Sequence, residues 1–204
     1  LHREITEAAA REDPPDGVVV THGSNTTEET AYFLHLTLQT EMPVAVTAAQ
    51  RNHRLVGNDG DRNLVDAVKV VGSEEARGRG AMVVLNDAIH SARDVTKTVS
   101  GRPDAWDSAN LGVLGMIDKR DNMKFLRRTE QRHAPDAVVD LAGTTAAEFP
   151  DVEIIYSAAG MDGSLVHAAV DNGADGLVLA ALPTGSPANP TGYDDTQADA
   201  IREV

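Results

Sequence analysis

A serine, an asparagine and a threonine follow directly on a short β-branched run, in the order Val18-Val19-Val20-Thr21-His22-Gly23-Ser24-Asn25-Thr26. If that run is a parallel strand and the next residues open a helix, these side chains stand beyond the carboxyl end of the strand, where open α/β sheets bind ligands. A helix N-terminus there offers free N–H groups and a dipole that favour a carboxylate or a developing oxyanion. Two further strand ends carry polar residues: Ala48-Ala49-Gln50-Arg51, and Asn86-Asp87 leading to Arg93-Asp94-Val95-Thr96-Lys97-Thr98. A hydroxyl is a poor nucleophile until a base takes its proton. A lysine desolvated in a cleft can be that base, because burial lowers its pKa. Of the lysines at 69, 97, 119 and 124, Lys97 alone follows a strand end inside a threonine-rich segment. Ser24 and Lys97 are therefore the candidate pair for acyl-transfer chemistry. Serine and asparagine also cap helices, and spacing alone leaves both readings open.

The elements that must position this pair are legible as an alternation. Residues 1–12 are polar and helix-compatible, and Pro14-Pro15-Asp16-Gly17 is a turn. Residues 18–20, 43–47 and 81–85 read as buried parallel strands. Between them, Thr26 with Glu29 has capping-box spacing ahead of Ala31, Leu34 and Leu38 on one helical face, and residues 63–71 show a second helical period. Strand–helix alternation implies an α/β fold with a doubly wound parallel sheet of Rossmann or flavodoxin-like type. Residues 114–117 and 123–126 flank Asp121-Asn122 as an antiparallel hairpin. The domain reading is a first domain over 1–127, a linker over 128–150, and the start of a smaller α/β domain over 151–204, with strands at 152–156 and 176–180 around a helix at 163–173.

Composition excludes several functions. The 204 residues include no cysteine, so disulfides, thiolate metal sites and a cysteine nucleophile are out, and a reducing, cytoplasmic compartment is expected. No apolar run approaches the ~20 residues that span a bilayer, so no membrane partner is expected. The net charge of −14 repels a phosphate backbone, which argues against nucleic acid. Abundant acid with only four lysines among 18 basic residues fits a salt-adapted surface or a GC-rich genome. The seven histidines form no metal-ligand spacing, and the glycines form no nucleotide loop, so neither metal nor cofactor is expected. The chain starts at Leu1 and ends in a helical pattern, Ala198 to Val204, so both ends read as breaks in a longer protein.

The stretch "GVVVTHGSNTTEETAYFLHLTL" resembles an active-site signature of the bacterial-type asparaginase/glutaminase family, departing within residues 17–31 only at Ser24 (Thr), Asn25 (Asp) and Thr27 (a larger apolar residue). "TAAQRNHRLVGNDGDRNLVDAVKVV", "ARGRGAMVVLNDAIHSARDVTKT" and "VEIIYSAAGMDGSLVHAAVDNGADGLVLAAL" are similar to later segments of that family, so the likeness runs nearly the whole chain.

The resemblance implies hydrolysis of asparagine, and often of glutamine more slowly, by acyl transfer through two hydroxyl residues on separate loops, the first the usual acyl-forming nucleophile, without a cofactor, in a homotetramer built from dimers. The family's first hydroxyl lies in a Gly-Gly-Thr loop that these residues do not contain, so the 204 residues alone are expected to be inactive. The second falls at Ser24 and its lysine at Lys97. Gly23, Ser24, Asn25 and Ala49 are expected to line the substrate, with Ala49 offering its carbonyl to the substrate amide. Asn25 replaces the aspartate that grips the substrate's ammonium group, a charge-assisted contact worth about 1.5–3 kcal/mol. That departure points to a rival reading, a homologue that binds an amino acid without turnover. A second rival is the asparaginase-like subunit of an archaeal glutamyl-tRNA amidotransferase.

Overall fold

The computed structural model describes every residue except 121 and 193, and divides the chain into two compact units, Leu1–Ala142 and Gly143–Val204. Residues 128–142, read from sequence as linker, cluster with the first unit. They dock on it by backbone hydrogen bonds: Ala134 N–H donates to the His35 carbonyl and Val139 N–H to that of Leu36.

The first unit is built on a six-stranded sheet. Its strands are β1 (Val18–Thr21), β2 (Val44–Thr47), β3 (Ala81–Leu85), β4 (Ala88–Ser91), β7 (Gly115–Ile117) and β8 (Met123–Phe125), in that spatial order. The first three are parallel, in register Thr21 beside Thr47 and Val46 beside Val83. The last three add on antiparallel. A separate ribbon pairs β5 (Thr96–Lys97) with β6 (Trp106–Asp107).

Alternation along the strands explains the two layers. Val44, Val46, Val83 and Leu85 face a core shared with Leu34 and Ala31 of α2 (Thr27–Thr37). Their neighbours Ala45, Met82 and Val84 face the opposite core, with Ala67 and Val70 of α3 (Gly60–Val71). Because successive strand side chains point to opposite faces, a strand buried on both sides reads as an unbroken apolar run, as β3 does. Burying a Leu or Val of this kind contributes about 1.5–3 kcal/mol. Helix α1 (His2–Ala9) adds Ile5 to the first of these cores.

One sequence expectation changes. From sequence, the end of β3 reads as a ligand-bearing loop with Asn86 and Asp87. In the structure these two residues form the turn of a tight β3–β4 hairpin, with φ of 51° and 61° and Leu85 paired to Ala88. Asn and Asp tolerate positive φ better than other non-glycine residues, and two such residues make the turn whose twist suits a hairpin. Their polar groups are used locally: Asn86 N–H donates to Asn63 Oδ1 (2.9 Å), and Asp87 pairs with Arg62 (3.1 Å). The turn of the β7–β8 hairpin is organised by Asp118, whose carboxylate accepts the N–H groups of Arg120 and Asn122. Of the expected Asp121-Asn122 pair, Asp121 lies outside the described residues.

The second unit is a β–α–β unit: β9 (Val152–Tyr156) lies parallel to β10 (Gly176–Ala180), with α4 (Ser164–Asp171) between them in sequence and α5 (Gln197–Glu203) following. Ile155, Val166 and Ala200 form its core. Buried Gln197 accepts from the Ser157 hydroxyl and Ala188 N–H and donates to the Tyr156 carbonyl. Thr196 and Asp199 form a capping box at the start of α5.

Candidate active site

Parallel pairing places the carboxyl ends of β1 and β2 side by side, and His22 N–H extends the ladder by donating to the Thr47 carbonyl (2.8 Å). The Ser24 loop and the Ala49 loop therefore emerge from neighbouring strand ends of the sheet. The Ser24 loop is braced by its own neighbours. The Thr27 hydroxyl donates to the Gly23 carbonyl (2.9 Å), and the His22 ring lies between that carbonyl (2.8 Å) and the Thr30 hydroxyl (3.0 Å). Thr26 occupies the N-cap position of α2, but its side chain makes no cap bond, so the expected box with Glu29 does not form.

Lys97 arrives from β5, 73 residues away in sequence, and its Nζ donates to Ser24 Oγ at 2.8 Å. Lys97 is half-buried and Ser24 is likewise partly covered. The segment delivering the lysine is held to the unit by the Arg127–Asp94 ion pair (2.8 Å) and by Val95 and Trp106 in the core. Asn25 and Ala49 are exposed, and the Asn25 side chain makes no hydrogen bond among the described residues. Ser24 and Lys97 are thus brought into contact, Gly23 braces their loop, and Ala49 sits on the adjacent loop.

Sequence reasoning missed the residues that hold these loops. Asp59, at the N-cap position of α3, turns away from the helix to accept Gln50 N–H (2.9 Å) and Arg51 N–H (2.8 Å). Buried Asn63 donates to the Ala48 carbonyl (2.9 Å) and Asp59 (3.1 Å), and accepts Asn86 N–H. Two adjacent strand ends are therefore tied through one amide. Carboxyl and amide side chains that begin a helix without capping it are the available signal. Gln50 Nε2, beside Ala49, is buried with no partner among the described residues. Glu28 belongs with these residues: from α2 its carboxylate accepts the backbone N–H of Lys97 (2.6 Å). Among the described residues, no group of three or more His, Asp or Glu side chains is placed to hold a metal ion.

A hydroxyl in contact with a lysine at the ends of parallel strands, followed by a helix, is a geometry suited to acyl transfer. The sequence model of the family described as Asparaginase, N-terminal matches residues 1–131.

The chain belongs to the asparaginase family.

Among relatives of this family, the chain is 41% identical over 186 residues to L-asparaginase 2 of Bacillus subtilis (strain 168), covering 91% of this chain and 48% of that protein. It is 39% identical over 186 residues to the glutaminase-asparaginase of Pseudomonas fluorescens biotype A, covering 91% of this chain and 50% of that one. The crystal structure of a probable cytoplasmic L-asparaginase from Campylobacter jejuni superposes with a TM-score of 0.88 at 35% identity, over 99% of this chain and 64% of that one. The chain thus spans about half the length of the asparaginases it matches in sequence.

Proposed function

We propose that this chain forms part of an asparaginase-type amidohydrolase that converts L-asparagine and water to L-aspartate and ammonia, with Ser24 and Lys97 as an acid/base pair. The observation that carries the reading is the 2.8 Å contact between Lys97 Nζ and Ser24 Oγ. A hydroxyl oxygen attacks the side-chain carbonyl carbon, forming a C–O bond. The C–N bond then breaks, and the amide nitrogen leaves as ammonia after taking a proton. Water cleaves the resulting ester and restores the hydroxyl. In the first half a proton must pass from the attacking hydroxyl to the departing amide nitrogen, and in the second from water to the restored hydroxyl oxygen. A lysine in contact with a hydroxyl is placed to relay it, a role worth roughly 10²–10⁴ in rate.

Gly23, Ser24, Asn25 and Ala49 line the proposed substrate position. The family membership and the names of the relatives support asparagine as substrate, with glutamine second. By the same family likeness the working form is a homotetramer, and a cytoplasmic location fits both the absence of cysteine and the name of the Campylobacter structure.

The test is ammonia release by the full-length protein from asparagine and from glutamine, with Ser24→Ala alongside. Asparagine turnover that falls by at least about 100-fold in the variant supports the reading. Undiminished turnover in Ser24→Ala would remove this serine from the chemistry. A second reading, binding without turnover, is favoured by Asn25, a neutral and exposed residue where the family signature carries a charge.

A further inference from the structure

Glu28 stands four residues after Ser24, in the first turn of α2, yet its carboxylate does not serve the helix. Oε2 accepts the backbone N–H of Lys97 at 2.6 Å, and Oε1 accepts the Thr96 hydroxyl at 3.2 Å. Both oxygens of a partly covered carboxylate therefore go to neutral donors on the strand that carries the lysine. Resting on the Ser24–Lys97 reading above, we propose that Glu28 is a positioning residue for amide hydrolysis, clamping β5 onto the start of α2 and so fixing the approach of Lys97 Nζ to Ser24 Oγ.

The physical need for such a clamp is plain in the elements. β5 has two residues, pairs among the described residues only with the two-residue β6, and lies outside the main sheet. Across from β6, Arg93 just ahead of β5 donates to the Tyr32 hydroxyl of α2 (3.3 Å), β5 itself is tied to α2 by the Glu28 contacts, and it meets the loop before α2 through the Lys97–Ser24 contact. The last of these cannot serve as a constant restraint, since a proton relay requires it to change during the reaction. A lysine side chain has four rotatable carbons and about 2 kcal/mol of rotamer entropy, so an unanchored lysine backbone would spread Nζ over several ångströms. A hydrogen bond to an ionised acceptor is roughly twice as strong as a neutral one, so the Glu28 contacts add a restraint at the lysine itself to the Arg127–Asp94 pair and the Val95 and Trp106 packing that hold the flanking residues. Ser24 is fixed from the same helix, through Thr27 and through His22 to Thr30. Glu28 thereby joins the Ser24 loop and the lysine strand to one rigid element.

Side-chain length and charge separate positioning from electrostatics. Glu28→Gln keeps the length and can offer an acceptor to Lys97 N–H and a donor to the Thr96 hydroxyl. Glu28→Asp keeps the charge but falls one methylene short. In the full-length protein, kcat and KM for asparagine are measured for the parent, both variants and Lys97→Met, with thermal midpoints to confirm folding. The expected result is Glu28→Gln within about threefold of the parent kcat, and Glu28→Asp lowered roughly 10- to 100-fold in kcat at nearly unchanged KM, as a misplacement of about 1 Å would produce. Glu28→Asp at the parent rate, or an active Glu28→Asp beside an inactive Glu28→Gln, overturns the clamp while an inactive Lys97→Met leaves the acid/base pair standing. Lys97→Met at the parent rate, or a parent without turnover, overturns the pair and the clamp together.

Discussion

At the residue scale, the Ser24–Asn25 dipeptide sets both the promise and the weakness of the site. Ser24 keeps the hydroxyl of the family threonine and contacts Lys97. Losing the methyl frees its χ1 rotamer, which places more of the orienting work on the lysine. Asn25 is exposed, with no side-chain hydrogen bond among the described residues, and as a neutral group it offers an α-ammonium one acceptor in place of a charge. Restoring the charge is therefore expected to tighten the substrate. Asn25→Asp should lower KM for asparagine by roughly 10- to 100-fold, the equivalent of about 1.5–3 kcal/mol, as read from initial rates of ammonia release. An unchanged KM would mean that the ammonium is held elsewhere. The variant also decides between enzyme and silent binder: turnover gained only on reversion assigns the present chain to binding.

At the element scale, the site depends on two strand ends tied by Asn63 of α3 and by Asp59 at its N-cap. Removing the Asn63 amide leaves the Ala48 carbonyl and the Asn86 N–H without it in a buried position. Asn63→Ala is expected to destabilise the first unit by about 2–4 kcal/mol, measured as a lowered denaturant midpoint at unchanged slope. A change below about 0.5 kcal/mol would show that the tie is dispensable. These elements also show what the sequence can and cannot reveal. β1, β2, β3 and the apolar faces of α2 and α3 were legible because burial on two faces leaves continuous apolar runs and a helix leaves a period. Lys97 was legible as a candidate because lysines are scarce. The reassignment of Asn86 and Asp87 from ligand loop to hairpin turn was not legible, since the same residue types suit both. Nor was the role of Glu28, Asp59 or Asn63, because a polar residue at a helix start looks like a cap until the third dimension shows where it points. Gly80 is a further case: its φ of 72° and the His35 ring 2.5 Å from where a Cβ would lie make glycine obligatory there, but only the fold shows it.

At the scale of the whole molecule, charge and burial fix how the protein responds to pH. His35 and His90 are buried in the first unit, and burial above all lowers each pKa from 6.5 to about 4, with neighbouring His133 lowering that of His35 further and Asp107 partly offsetting the shift at His90. The His35 ring stacks on His133 at 5.0 Å and accordingly stays neutral beside it. Each histidine has a folded pKa below its unfolded one, so the unfolded chain binds more protons in that window. Their contribution is fully present above pH 6.5 and is lost as pH falls toward about 4, by on the order of 3 kcal/mol each. Asp66, its pKa raised by burial and only partly offset by Arg62, acts in the opposite sense near the acid end. The denaturant midpoint is therefore expected to fall steadily from pH 6.5 to pH 4, and a flat profile would mean that these rings are not held neutral by the fold. The surface adds a second dependence: a net charge of −14 repels itself less as salt rises.

All of this bears on whether the two residues that meet across 73 positions of sequence do the chemistry the family suggests. The most direct test is kcat for ammonia release from asparagine by the full-length protein and by its Lys97→Met variant, which removes the amine while keeping most of the side-chain volume. A parent that turns over, with a variant slowed by at least about 100-fold, is the expected result. Equal rates in the two proteins would contradict it.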